Sequence, residues 1–233
     1  MRVLAVGAHP DDIEINCVGT LIKCVKRGDT VTVCHMSDGD MGHVTIMPDE
    51  LGKIRRQEAQ NSGALAGIKV VWGGLHDLDI YDGKEARDYL VKIIRDAKPD
   101  FIITHGQNDY MPDHTAVAKL VFDASFSASV PHYLPELGEA TPVCPIYLMN
   151  NASGIDFIPT HYVDITEEME LKHKMFACHE SQIVWLKDHD NVDYVEQVDV
   201  FARFYGLQCG AKYAECFREV LASGRQTTKR LLP

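Results

Sequence analysis

The sequence predicts an α/β protein, a Rossmann-like three-layer sandwich on a mostly parallel sheet, with a small irregular C-terminal subdomain. Two observations carry that expectation. Short apolar runs rich in β-branched residues alternate with longer amphipathic stretches, the pattern of βαβ units. The runs Val3-Leu4-Ala5-Val6 and Phe101-Ile102-Ile103-Thr104 are each followed by a cluster of polar residues, where an open α/β sheet presents its functional loops.

Residues 2–7 read as the first strand and 19–28 as a helix, closed by Gly28-Asp29 before a strand over 30–36. A helix over 49–66 leads to a strand over 69–73, and a helix over 84–97 ends at Lys98-Pro99-Asp100 before the strand 100–104. A helix over 114–126 and a strand over 145–149 complete an alternating core, residues 1–150. Beyond Asn150 the alternation loosens. Val163-Asp164-Ile165 reads as a short strand and Thr166 as a helix N-cap, with Glu167 and Glu168 suited to the positive helix end. The segment 183–199 reads as acidic and irregular, and 212–223 as helical. No repeat or low-complexity tract interrupts the chain, so 1–233 is expected to be one domain, with 151–233 packed on the core.

Bulk properties narrow the function. A formal net charge of −11 with scattered Lys and Arg argues against nucleic acid or an anionic membrane as partner. No apolar run approaches the roughly 20 residues of a membrane span, and no signal segment opens the chain; a cytoplasmic protein is expected. Seven cysteines (Cys17, Cys24, Cys34, Cys144, Cys178, Cys209, Cys216) include no C-x-x-C pair and read as small apolar residues in a reducing compartment.

The chemistry concentrates in two loops. Ala8-His9-Pro10-Asp11-Asp12 is too poor in glycine, and too acidic, to cradle a phosphate, and no G-x-G-x-x-G accompanies it. It suits a cation instead: His9 and Asp12 ligate from one turn while Asp11 stays free as a base. Helix capping by Asp11 or Asp12 is the plain alternative. The second cluster, Asn108-Asp109-Tyr110-Met111-Pro112-Asp113-His114, follows the fourth strand run and favours one mononuclear metal site built from both loops. His105 either lines that pocket or packs beside it. Trp185, Tyr194 and Asp188-His189-Asp190 read as a lid or as a solvated loop around an aromatic residue.

These motifs resemble the LmbE-like, or PIG-L, family of zinc-dependent N-acetylglucosaminyl deacetylases, including its mycothiol and bacillithiol branches. The likeness runs through Ser37-Asp38-Gly39-Asp40-Met41-Gly42, Arg55 with Glu58, Asp77, Pro112-Asp113-His114, His179-Glu180-Ser181-Gln182 and the stretch from Phe204 to Phe217. It implies zinc, with Fe²⁺ as an alternative, on His9, Asp12 and His114. It implies Asp11 as general base, Asp113 as the carboxylate paired with a catalytic histidine, and Arg55, Asp77, Asp38 and His43 around an N-acetylated sugar. It also implies a homo-oligomer, a trimer or hexamer. Where the family has a histidine before Pro-Asp-His this chain has Met111, and a thioether donates no hydrogen bond. The expected substitute is Tyr110 or one of His35, His43, His76 and His179. The resulting expectation is a metal-dependent hydrolase that removes an acetyl group from an N-acetylglucosamine-type substrate. The alternatives are an amidase on a non-sugar or thiol-conjugate amide, and a metal-binding relative without catalysis.

Overall fold

The computed structural model describes residues 1–151 and 154–233, with the backbone alone of Asp190. Five strands run parallel: β1 (Arg2–Gly7), β2 (Thr30–Ser37), β3 (Lys69–Leu75), β4 (Phe101–Thr104) and β5 (Ile146–Met149). Strands β6 (His161–Asp164) and β7 (Ala214–Glu219) extend the same sheet, which is ordered β3-β2-β1-β4-β5-β7-β6. Strand β7 lies antiparallel to both of its neighbours.

Side chains alternate across a strand, and here both faces are apolar. From β1, Val3 and Ala5 join a cluster with Leu21 and Ile22 of α2 (Val18–Lys26). Leu4 and Val6 join another with Leu90 and Ile94 of α4 (Lys84–Ala97) and with Val117, Leu120 and Val121 of α5 (Pro112–Ser127). Burying each such side chain stabilises the fold by about 1.5–3 kcal/mol, so both faces require helices and three layers follow. Helix α3 (Pro48–Ala66) packs over β3 and leans on α6 (Met169–Phe176). All seven thiols are free; five are buried, Cys178 is half-buried and Cys209 is exposed. Among the described residues no helix is long and apolar enough to cross a membrane.

The C-terminal third is more regular than its composition implies. The acidic segment 183–199 is helical: α7 (Glu180–Asp190) ends at Asn191 in the left-handed conformation, and α8 (Tyr194–Cys209) follows directly. Asp193 caps α8 by accepting the Glu196 N–H at 3.1 Å, a local signal that the run of acidic residues obscures. The helix expected over 212–223 is strand β7 instead, because its apolar residues fill a slot between β5 and β6 that buries both faces. Thr166 is not an N-cap: it donates to the Asp164 carboxylate at 2.6 Å, and α6 starts after Glu168.

The chain leaves β1 toward β2 and β3 on one side and returns to place β4 and β5 on the other. The order therefore reverses between β1 and β4, opening a crevice at the carboxyl ends of those strands. Both polar clusters emptying from β1 and β4 lie there.

Candidate metal centre and active-site cleft

After β1 the chain turns through Ala8–Asp12 into the single-turn helix α1 (Asp12–Asn16). Asp11 has φ 114°, a conformation costing a non-glycine residue about 1–3 kcal/mol. Arg55, buried on α3, holds it. Nη2 donates to the Pro10 carbonyl and stands 3.3 Å from Asp11 Oδ1, while Nη1 donates to the Gly39 carbonyl at 2.7 Å. Gly39 itself has φ 62°, and a Cβ there would fall 2.1 Å from Arg55 Nη1. The turn is tied further by the His9 N–H to Asp12 Oδ2 at 2.7 Å, and by Ser37, whose N–H and Oγ–H reach the Ala8 carbonyl at 2.8 and 3.0 Å.

The second loop delivers its residues from the start of α5, with Pro112 at the position where a missing N–H does no harm. Donor atoms of His9, Asp12 and His114 lie within 4.8 Å of one another. His114 Nδ1 faces Asp109 Oδ2 at 3.0 Å, which places its proton there. Its Nε2 is buried without a hydrogen-bond partner among the described residues, 3.2 Å from Asp12 Oδ1. His9 Nε2 faces Asp113 Oδ2 and Asp77 Oδ1, both at 3.1 Å, leaving Nδ1 turned to Asp12 at 3.5 Å. Each imidazole has one nitrogen fixed by carboxylate and the other aimed at a common point, as in carboxylate–histidine–metal arrangements. The orphaned His114 Nε2 and the two-imidazole, one-carboxylate donor set fit a divalent transition metal.

Charges around this point are strongly coupled. Burial disfavours the charged form of His9, but Asp113, Asp12 and Asp77 outweigh it and raise its pKa well above the ordinary value. His114 is likewise penalised by burial, yet Asp12 and Asp109 lift it to about 9. Burial opposes ionisation of Asp12, but His114 and His105 overcome it and hold the carboxyl well below its ordinary range. Asp11 behaves differently: burial pushes it up to about 6 against the pull of Arg55. His105, stacked on the His114 ring at 3.9 Å, is driven down to about 4 by burial and by His114, and accepts the Ala8 N–H at 3.0 Å.

A cleft of about 200 Å³ opens over these groups. His9, Asp11, Asp12, His114, Arg55 and Asp77 line it, so six of the ten residues expected at the site converge. Asp113 is buried behind His9, a ligand candidate with which it pairs at 3.1 Å, and also accepts the Leu78 N–H at 2.8 Å. Tyr110 is 78% exposed and does not line the cleft. Asp38 makes a bidentate pair with Arg56, both contacts at 2.8 Å, on the outer side of α3. His43 stands outside the lining, its Nδ1 accepting the Thr45 and Ile46 N–H groups, its ring 6.2 Å from that of Trp185.

The outer wall comes from the C-terminal third. Ser181 donates through N–H and Oγ–H to Glu58 at 2.8 and 2.7 Å, and Gln182 Nε2 reaches the Gly42 carbonyl at 3.2 Å. These bonds hook α7 onto α3 and the loop before it, and Trp185, Leu186 and Tyr194 line the cleft. Trp185 also stacks on His189 at 4.2 Å; the Asp190 side chain lies outside the described residues. Sequence reasoning assigned no role to Asp109, Asn150, Asn151 or Gln182. Asn150 and Asn151 directly follow β5, and the rule that sites gather at carboxyl ends of parallel strands points to them.

Fold and site together define an α/β protein with a candidate metal centre at its switch point. The chain belongs to the PIG-L family, described as GlcNAc-PI de-N-acetylase, whose profile matches residues 4–125. It is similar to the diacetylchitobiose deacetylase of Thermococcus kodakarensis, with 27% identity over 236 residues covering 94% of this chain and 83% of that protein. A 1D-myo-inositol 2-acetamido-2-deoxy-alpha-D-glucopyranoside deacetylase of Nocardioides sp. is 28% identical over 63% of this chain, which spans about three fifths (61%) of that relative's length. Among solved structures, the N,N'-diacetylchitobiose deacetylase from Pyrococcus horikoshii superimposes with a TM-score of 0.81 at 29% identity, covering 94% of this chain and 83% of that one.

Proposed function

We propose that this protein is a metal-dependent N-deacetylase that cleaves the acetamido group of an N-acetylglucosamine-type sugar. Zinc is the proposed ion on His9, Asp12 and His114, and Fe²⁺ suits the same donors. The observation that carries the reading is Asp11: a buried carboxylate in the cleft, beside the proposed ligands but outside their set, with its pKa lifted by burial to about 6. A group that only bound metal would have no use for it.

When bound, the metal ion polarises the acyl carbonyl and makes water a better nucleophile near neutral pH. Asp11 takes the proton of the attacking water. A base of pKa about 6 is ionised at pH 7 and is still basic enough to accept it. The water oxygen bonds to the acyl carbon, the C–N bond then breaks, and the proton held by Asp11 passes to the departing amine. Arg55 keeps the Asp11 carboxylate in place, and Asp113 and Asp109 fix the tautomers of His9 and His114. Arg55 and Asp77 also present polar groups to the sugar.

Asp11→Asn tests the reading. The variant is expected to retain metal at the wild-type ratio by elemental analysis while acetate release falls by roughly 10²–10⁴. Retained turnover in Asp11→Asn would refute the assigned base.

A further inference from the structure

The proposed reaction builds negative charge on the acyl oxygen, and at position 111 no hydrogen-bond donor awaits it. None of the expected substitutes lines the cleft. His35 and His179 are fully buried, the latter 3.2 Å from Glu14; His76 pairs with Asp40 at 2.9 Å; Tyr110 faces solvent.

The cleft lining itself supplies a donor. Asn150 directly follows β5, is 5% exposed and lines the cleft. Its Oδ1 accepts the Tyr205 Oη–H at 2.6 Å, which sets the amide plane and turns Nδ2 away from the tyrosine. Among the described residues Nδ2 has no hydrogen-bond partner. Next to it, Asn151 donates through Nδ2 to the carbonyls of Asn108 and Ile155 at 2.7 and 2.8 Å, while its Oδ1 is buried, again without a partner among the described residues. Left buried and unpaired, Asn151 Oδ1 costs about 1–3 kcal/mol, and such groups persist where a ligand satisfies them, whereas Asn150 Nδ2 is not a fully buried atom. One free amide donor and one free acceptor on consecutive cleft-lining residues complement a secondary amide, whose C=O accepts and whose N–H donates.

We propose that Asn150 is a catalytic residue whose Nδ2 donates to the acyl oxygen, with Asn151 Oδ1 receiving the amide N–H and Tyr205 acting as a positioning residue. The assignment rests on the deacetylase reading above. As the water oxygen bonds to the acyl carbon, the carbonyl π pair moves onto the oxygen that Asn150 holds. When that pair returns, the C–N bond breaks and the amine leaves with the proton carried by Asp11.

The test uses Asn150→Ala, the isosteric Asn150→Asp and Tyr205→Phe, each matched to wild type in circular dichroism and metal content. With N,N'-diacetylchitobiose as substrate, Asn150→Ala is expected to lower kcat by roughly 10²–10³ with little change in KM. Asn150→Asp is expected to lose at least as much, since it offers charge where a donor is needed. Tyr205→Phe loses less, again in kcat. A methylphosphonamide analogue of the substrate, tetrahedral at phosphorus, should bind Asn150→Ala more weakly by the factor lost in kcat/KM, while the amine product binds unchanged. Unchanged kcat in Asn150→Ala, or a raised KM at constant kcat, would overturn the assignment. Wild type releasing no acetate would instead overturn the deacetylase reading, and this assignment with it.

Discussion

Replacing Glu14 by Gln should weaken the fold in a pH-dependent way. Glu14 lies on α1 and is 3% exposed; its Oε1 accepts the Ser62 Oγ–H at 2.6 Å and stands 3.2 Å from His179 Nε2. Burial alone would raise its pKa, but His179, His35 and Ser62 reverse that and bring it from 4.5 down to about 2. At about 1.4 kcal/mol per pH unit, this corresponds to roughly 3 kcal/mol of stability at neutral pH. For a depressed carboxylate that stability is present above about 4.5 and is lost as pH falls from there toward about 2. His179 is penalised by burial but raised by the same carboxylate, so its share is present below about 6.5 and fades as pH climbs through its elevated value. The pair is one interaction and is counted once. Thermal unfolding followed by circular dichroism, with chelator present throughout so that metal release does not enter, should place Glu14→Gln about 6–12 °C below wild type at pH 5.5. The gap should shrink at pH 3. A gap of equal size at both pH values, or none at pH 5.5, would refute the reasoning.

Three further outcomes follow from the same geometry. Asp109→Asn removes the carboxylate that fixes the His114 tautomer, and metal affinity in a competition titration should fall by about 10–100-fold, whereas His114→Ala should purify nearly free of metal. Gly39→Ala puts a methyl against the Arg55 guanidinium at φ 62°, so unfolding should show a loss above about 1 kcal/mol together with lower kcat/KM. Gly67→Ala, with a similar φ of 68° and open space around it, should show the strain without the catalytic defect. Since Asp11 must be ionised to accept a proton, kcat/KM should rise with pH through about 6 and level off above it; a flat profile from pH 5 to 7 would contradict that role.

Much of this architecture is local and therefore readable. Runs such as Val3–Val6 and Phe101–Thr104 are apolar on both faces because helices cover both, and composition alone exposes that. The C-terminal strands and helices are different. Ala214–Glu219 becomes strand through the slot waiting between β5 and β6, and no periodicity within six residues encodes a slot. The α7–α8 boundary is encoded, in Asn191 and in the Asp193–Glu196 cap, but the surrounding acidic residues dilute the apolar pattern that would announce helices.

The site divides along the same line. His9, Asp11, Asp12 and His114 sit in contiguous motifs because one turn and one helix start must each present several groups to a single point. The supporting groups need no such adjacency. Arg55 reaches Asp11 from a different helix, Glu58 anchors α7 across 123 residues, and Tyr205 orients Asn150 across 55. Each is an ordinary residue in its own neighbourhood, recognisable only by what it touches. On the proposed function, a motif thus marks where bonds would be broken, whereas the donors and walls around it come from long-range packing. The loss of a motif histidine at Met111 is therefore weak evidence against catalysis, because the donor it would have supplied can enter from a strand end that no local pattern connects to it.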